Sequence, residues 1–244
     1  MTTGLILVTG GTGTLGRDLV PLLRERGADV AVLSRRAAPG LRVADLQTGA
    51  GLTDALADVD TVVHLAAGKR QAEEAQHLVS ACEEQGIRHI VFISIVGIER
   101  IPYPYYVAKL AAEQIVEAST VPNTIFRTTQ FHQFVIGVFF APQRRLPVVF
   151  APSLSIQPID TRVVAEVLAD AALGSPRGRL PDLGGPEVLS GRELAALYAP
   201  GKRVFGFSLF GRIWSAFRAG HHLSPSRRAD GRTFAEYLAE ERPE

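Results

Sequence analysis

Two stretches of this sequence combine residue types and spacings that do chemistry. In Tyr105-Tyr106-Val107-Ala108-Lys109 a phenol and an amine stand four positions apart, so on a helix they share one face. An ammonium beside a phenol favours the phenolate and lowers its pKa. A phenol nearer neutrality is a better general acid for an oxygen that gains a hydride. The second stretch, "LVTGGTGTLGRDLV" (7–20), places Gly10, Gly11, Gly13 and Gly16 close together. Glycine weakens strands and helices alike, so the cluster needs a reason. It follows an apolar run and opens a helix-like pattern, the context in which a chain grips a dinucleotide. Gly10 permits a tight turn, Gly13 lets the backbone approach a pyrophosphate, and Gly16 permits close helix–strand packing. Amides along Gly10, Thr12, Gly13, Thr14, Leu15 and Gly16 would then hold the phosphates, aided by the helix dipole.

The elements that must position these residues alternate regularly. Apolar, β-branched runs at 4–9, 29–34, 41–45, 60–66, 89–95 and 123–128 read as strands. Helical periodicity at 15–27, 52–58, 70–85 and 104–119 fills the spaces between them, with Gly27 and Gly86 as stops. Strands so continuously apolar are buried on both faces, as in a parallel sheet covered by helices. The expected fold is α/β, a doubly wound parallel sheet of Rossmann type with a small C-terminal α/β extension on the substrate side. The regularity loosens after about residue 130. The run "FHQFVIGVFFAPQRRLPVVFAP" reads as a helix, a loop and a short strand, with a plain core helix favoured for its phenylalanines over a substrate cover. A helix follows at 161–174, then a strand, a turn and a helix capped near Ser190, and a tail with a strand and one or two helices. The whole chain, 1–244, is expected to form one dinucleotide-binding domain, with 1–130 as its core and 131–244 packed against the sheet's carboxyl edge.

Bulk composition excludes several classes. The chain has 244 residues, 46% hydrophobic and 21% charged, which is ordinary for a globular protein. A formal net charge of +1 gives no global field for nucleic acid, and the basic cluster "SPSRRADGR" reads as solvated surface. The single Cys82 rules out an internal disulfide framework and a multi-cysteine metal site. No basic and apolar leader opens the chain, and no apolar run approaches spanning length. A cytoplasmic protein with neither nucleic acid nor membrane as partner is expected.

The end of the second strand decides which dinucleotide is held. A carboxylate there bonds the ribose 2′-OH of NAD, whereas arginine suits a 2′-phosphate. The chain reads Ser34-Arg35-Arg36, which favours NADP(H) over NAD(H): guanidinium matches phosphate bidentately and the hydroxyl adds a donor.

The spacing Gly10-x-x-Gly13-x-x-Gly16 behind Thr9 resembles that of the short-chain dehydrogenase/reductase superfamily. "VVHLAAG", "YYVAK", "IFRTTQF" and "LGGPEVLS" look like its atypical NmrA-like branch, so the resemblance covers nearly the whole chain. It implies that Asp45 reaches the adenine amino group and that Leu46 flanks the ring. Ala66, Ala67 and Gly68 would let the adenosine ribose lie against the backbone. Lys109 would bond the nicotinamide ribose, Tyr105 would donate the proton, and Thr128-Thr129-Gln130-Phe131 would pass the nicotinamide. The chain departs from the usual pattern after the fifth strand. The serine or threonine that polarises a substrate carbonyl is replaced by Ile95 or Val96, and only Ser94 matches the first serine of the usual pair.

Three functions are compatible with these residues. The first is an NADP(H)-dependent oxidoreductase acting on a small carbonyl, alcohol, imine or activated alkene. The second is a non-catalytic NADP(H)-binding redox sensor that signals to a protein partner. The third is a sugar-nucleotide epimerase or dehydratase. A small-molecule substrate is expected, and the long helices leave room for a homodimer.

Overall fold

The structure, a computed structural model, describes residues 4–224 and 228–241. Residues 1–3, where the sequence begins, 225–227 of the basic cluster and 242–244 lie outside the described residues. In chain order the elements are β1 (Leu5–Thr9), α1 (Gly16–Glu25), β2 (Val30–Ser34), β3 (Leu41–Val43), α2 (Leu52–Ala55), β4 (Val59–His64), α3 (Gln71–Gln85), β5 (His89–Ile95), α4 (Pro104–Ala118) and β6 (Asn123–Thr128). There follow α5 (His132–Val135), a π-helical turn (Ile136–Phe140), a 3-10 turn (Ala141–Gln143), β7 (Val148–Pro152), β8 (Ser155–Ile156), α6 (Thr161–Leu173) and β9 (Gly178–Arg179). The chain ends with β10 (Leu189–Ser190), α7 (Gly191–Tyr198), β11 (Arg203–Phe207), α8 (Arg212–Arg218) and α9 (Phe234–Glu241).

The chain divides into two compact units. The first takes in the chain as far as Ser94, Val107–Arg127 and Val164–Pro181; the second takes in Ile95–Tyr106, Thr128–Val163 and the chain from Asp182. The first unit is organised by a seven-stranded sheet in the order β3-β2-β1-β4-β5-β6-β9. β1 pairs in parallel with both β2 and β4, and the β2–β3, β4–β5 and β6–β9 pairings are also parallel. Continuous apolar strands fit this arrangement, because Leu7, Val62 and Ile90 are all fully buried. Helix α3 adds Ala75, Leu78 and Cys82 to the same core, and α4 adds Ala112 and Val116. The strand order reverses between β1 and β4, and in open α/β sheets ligands bind beyond the carboxyl ends of the strands at such a reversal.

The second unit has its own core of Val135, Phe140, Val149, Ile156, Leu194 and Phe234, among others. β7 and β11 pair in parallel and β8 and β10 pair antiparallel. The helix expected near Ser190 is α7, closed by a capping box in which Ser190 and Glu193 exchange hydrogen bonds. The helix expected from Phe131 is one α-turn that widens into the π-helical turn and then tightens. Gly137 and the β-branched residues beside it favour helix weakly. The Gln143 amide then fastens the tightened end to β7: it donates to Phe150 O at 2.9 Å and accepts from Phe150 N at 2.8 Å.

Candidate functional site

The glycine loop links β1 to α1 at the strand-order reversal. Gly10 has φ +70, and a Cβ there would stand 2.9 Å from Ala66 N, so only glycine lets this turn pass the end of β4. The Gly13 amide donates to Gly10 O at 2.9 Å and closes the turn. A Cβ on Gly16 would lie 2.5 Å from Gly10 O and from the Gly11 backbone. Gly16 therefore packs against the loop itself. The strand contact expected of it belongs to Gly11, where a Cβ would meet Val32 of β2 at 2.8 Å. Thr12, Gly13 and Thr14 are exposed, whereas Leu15 is buried. Leu15 is the N-cap of α1, and no side chain caps this helix. Among the described residues the Thr14 and Leu15 amides have no acceptor. Arg17 donates to Thr12 O at 3.3 Å and lays a cation on the loop that sequence reasoning missed.

At the end of β2 the Ser34 hydroxyl accepts from Arg36 N at 3.1 Å, which leaves its own hydrogen free to donate. Arg35 and Arg36 are exposed, and among the described residues neither guanidinium has an acidic partner. Beyond β3, Asp45 Oδ1 accepts from Gln47 N at 2.9 Å, forming a local turn. Leu46 is buried in the core, and its carbonyl accepts from the His77 ring at 2.9 Å. At the end of β4, Ala66 is half-buried and Ala67 and Gly68 are exposed.

His64, the last residue of β4, is structural. Ala66 N donates to the Thr9 hydroxyl at 3.2 Å, and that hydroxyl lies 2.7 Å from His64 Nδ1. Burial, and then the charge of Lys109, push the imidazole down to about 3, so it stays neutral beside the Thr9 hydroxyl.

Lys109 projects from α4 into the first unit and is only 4% exposed. Its Nζ lies 4.2 Å from the centroid of the Phe92 ring. Among the described residues it has no hydrogen-bond or ion-pair partner. Burial lowers its pKa to about 8, and the charges of Glu113 and Glu74 act in the opposite sense. Glu74 of α3 accepts from Gly68 N at 3.1 Å, and Glu113 pairs with Arg127. Sequence reasoning missed both carboxylates and this arginine. The four-residue step from Lys109 to Glu113 and an arginine inside the buried strand "NTIFRT" were the available signals.

Tyr105, one helical turn before Lys109, belongs to the second unit and is 40% exposed. Burial of the hydroxyl, and then Tyr103, push its pKa up, the opposite direction from that expected of a phenol beside a cation. Tyr106 is buried. Its hydroxyl accepts from Gln130 Nε2 at 3.1 Å, and its ring meets Phe217 edge-on, with centroids 5.8 Å apart. Thr129 accepts from Gly185 N at 3.1 Å. Ser94 is buried, with no hydrogen-bond partner for its hydroxyl among the described residues. In the phenylalanine run, Phe140 is core while Phe134 is exposed.

The Thr14 and Leu15 amides, the exposed face at Gly13, and a Lys109 with no hydrogen-bond or ion-pair partner among the described residues fit a dinucleotide. A family model described as NAD(P)H-binding matches residues 10–171. The chain is 30% identical over 206 residues to the (4-alkanoyl-5-oxo-2,5-dihydrofuran-3-yl)methyl phosphate reductase of Streptomyces griseus, covering 79% of this chain and 72% of that one. Among solved structures it is similar to the NADPH-dependent quinone oxidoreductase QOR2 of Escherichia coli complexed with NADPH (TM-score 0.78, 18% identity, 97% and 99% of the two chains). A nucleoside-diphosphate-sugar epimerase of Staphylococcus aureus has a TM-score of 0.79 at 16% identity, covering 96% and 99%. No described helix is long and apolar enough to cross a membrane. A matched family model spanning about two thirds of the chain, together with a reductase 30% identical over most of both chains, makes this protein a member of the NAD(P)H-binding family.

Proposed function

We propose that this chain is an NADP(H)-dependent oxidoreductase that reduces a small carbonyl, imine or activated alkene, or runs the reverse reaction on an alcohol. The observation that carries the reading is Lys109, a buried ammonium with no hydrogen-bond or ion-pair partner among the described residues. Burying such a charge is costly, and perturbed ionisable groups of this kind gather at functional sites. The ribose hydroxyls of a dinucleotide would supply its missing acceptors. The glycine-loop amides hold the pyrophosphate, and Ser34, Arg35 and Arg36 hold the 2′-phosphate. Asp45 reaches the adenine amino group, Leu46 flanks the ring, and Ala66, Ala67 and Gly68 leave room for the adenosine ribose. The dinucleotide supplies the hydride. Tyr105, one helical turn before Lys109, supplies the proton; its raised pKa makes it a weaker acid than a free phenol, so the charge that develops on the substrate oxygen must draw the proton. The names of the Streptomyces griseus reductase and the Escherichia coli quinone oxidoreductase support reduction as the direction.

NADPH oxidation over a panel of carbonyls and quinones tests this reading. Tyr105→Phe is expected to lower turnover on any active substrate by about 100-fold or more, with NADPH affinity within about threefold of wild type. Unchanged turnover would remove Tyr105 from the chemistry. The phosphate assignment has a separate test. Arg35→Ala is expected to weaken NADP+ binding by about tenfold or more and to leave NAD+ binding unchanged, because it removes a charge-assisted hydrogen bond. Equal affinities for the two dinucleotides in wild type would overturn it.

One observation favours the sensor reading. Ser94 is buried with its hydroxyl unsatisfied among the described residues, and Ile95 and Val96 occupy the usual position of the carbonyl-polarising group. Tight NADPH and NADP+ binding without turnover across the panel, with dinucleotide-dependent capture of a protein partner, would select that reading.

A further inference from the structure

Around Lys109 lies a cluster of charges larger than dinucleotide binding alone requires. Glu113 stands one helical turn after Lys109 on α4 and is 2% exposed. Arg127 of β6 is 1% exposed. Arg127 Nε donates to Glu113 Oε1 at 3.1 Å and to Oε2 at 3.0 Å, and a terminal nitrogen donates to Oε1 as well. Glu74 of α3 is turned to the Gly68 amide. Neutral His64 of β4 and the Phe92 ring of β5 complete the surroundings of the ammonium. The formal charges of Lys109, Arg127, Glu74 and Glu113 cancel.

Buried ion pairs seldom stabilise a fold better than apolar residues of the same volume, so this one invites a functional explanation. Glu113 is near enough to Lys109 to favour its charged form. Yet both Glu113 oxygens are taken by Arg127, and Lys109 is left without an ion-pair partner. We infer that Glu113 and Arg127 are positioning residues for Lys109: Glu113 keeps the ammonium charged, and Arg127 keeps Glu113 from capturing it, so that Lys109 stays free for the dinucleotide. The inference rests on the reading that Lys109 contacts the dinucleotide. The two partners therefore act in opposite senses. Removing the carboxylate takes away a negative charge that favours the ammonium, and so favours its neutral form. Removing the guanidinium frees Glu113 to pair with Lys109 and favours its charged form.

NADP+ affinity, measured by titration calorimetry from pH 6 to pH 9.5, tests this in wild type, Lys109→Met, Glu113→Gln, Arg127→Gln and the Glu113→Gln/Arg127→Gln double variant. Wild-type affinity is expected to fall about tenfold per pH unit above about 8, where Lys109 loses its proton. Lys109→Met should flatten that fall. Glu113→Gln should move the break down by about one pH unit or more, and Arg127→Gln should move it up while weakening binding at neutral pH. The double variant removes both members of the Glu113–Arg127 pair together, so it decides the matter if a single variant does not fold; without the Glu113 charge its break should lie below that of wild type. A flat profile in Lys109→Met with unmoved breaks in the other variants, or with Glu113→Gln and Arg127→Gln moving the break in the same direction, overturns the inference alone. Unchanged affinity and pH dependence in Lys109→Met overturns the reading beneath it, and the inference with it.

Discussion

Gly16→Val is expected to weaken NADPH binding by at least about 100-fold in a protein that still folds. A Cβ at this position would stand 2.5 Å from Gly10 O, Gly11 C and Gly11 Cα. All three are backbone atoms, so no side chain can swing aside. The loop must open, and the distortion propagates to the turn closed by Gly13 N and Gly10 O. The Thr14 and Leu15 amides, which have no acceptor among the described residues, follow that turn, and misdirecting two or three charge-assisted hydrogen bonds to a pyrophosphate accounts for the loss. A 100-fold change corresponds to about 2.7 kcal/mol. Overpacking costs a further 1–3 kcal/mol or so of stability, which a thermal melt would register as a lower Tm. Fluorescence titration with NADPH, alongside circular dichroism, separates the two effects. A folded variant with wild-type affinity would show that the loop does not carry the phosphates.

Below neutral pH the protein is expected to lose stability steeply and to unfold near pH 5. Four histidines are buried: His64, His89, His132 and His222. Burial pushes His64 down to about 3 and His132 and His222 to about 4. His89 is lowered as well, by burial and then by Arg177. The unfolded chain binds protons at these residues below about pH 6.5, whereas the folded chain does not until pH reaches the lowered values. Proton uptake on unfolding makes stability rise with pH, so it falls as pH drops from 6.5 towards 4. Each fully buried imidazole contributes about 1.4 kcal/mol per pH unit. Three together give about 4 kcal/mol per unit, and His89 adds in the same sense. A domain stable by 5–15 kcal/mol or so exhausts its margin within about one to three units below pH 6.5, which brackets pH 5. Urea unfolding between pH 7.5 and pH 4.5 measures this. A flat midpoint across that range would mean that the imidazoles are protonated in the folded state.

The sequence made much of the fold legible because a buried parallel sheet leaves a local signature. "LILVT" and "HIVFISI" admit no polar face, and the strands fell close to where those runs lie. The glycine loop was legible because its four glycines fall within seven consecutive residues, although the atoms that demand glycine at Gly10 and Gly11 come from Ala66 and Val32. The resemblance named Lys109 without revealing that it is buried. What stayed hidden depends on contacts between distant positions. Arg127 and Glu113 meet because β6 and α4 are neighbours, and Glu74 arrives from α3; no local period announces either. The rise in the Tyr105 pKa was hidden too, because i,i+4 spacing gives proximity along a helix but not the burial of the hydroxyl. The widened turn at Ile136–Phe140 escaped because a π-turn has no sequence period of its own.

The Thr9 hydroxyl, held between the Ala66 amide and the His64 ring, has a wider consequence. It stitches the tips of two neighbouring strands together with groups that no ligand needs to touch. The crevice is therefore shaped in the free protein, and a guest finds its berth already made. Association avoids the entropy of ordering a loose segment, and more of the contact energy survives as affinity.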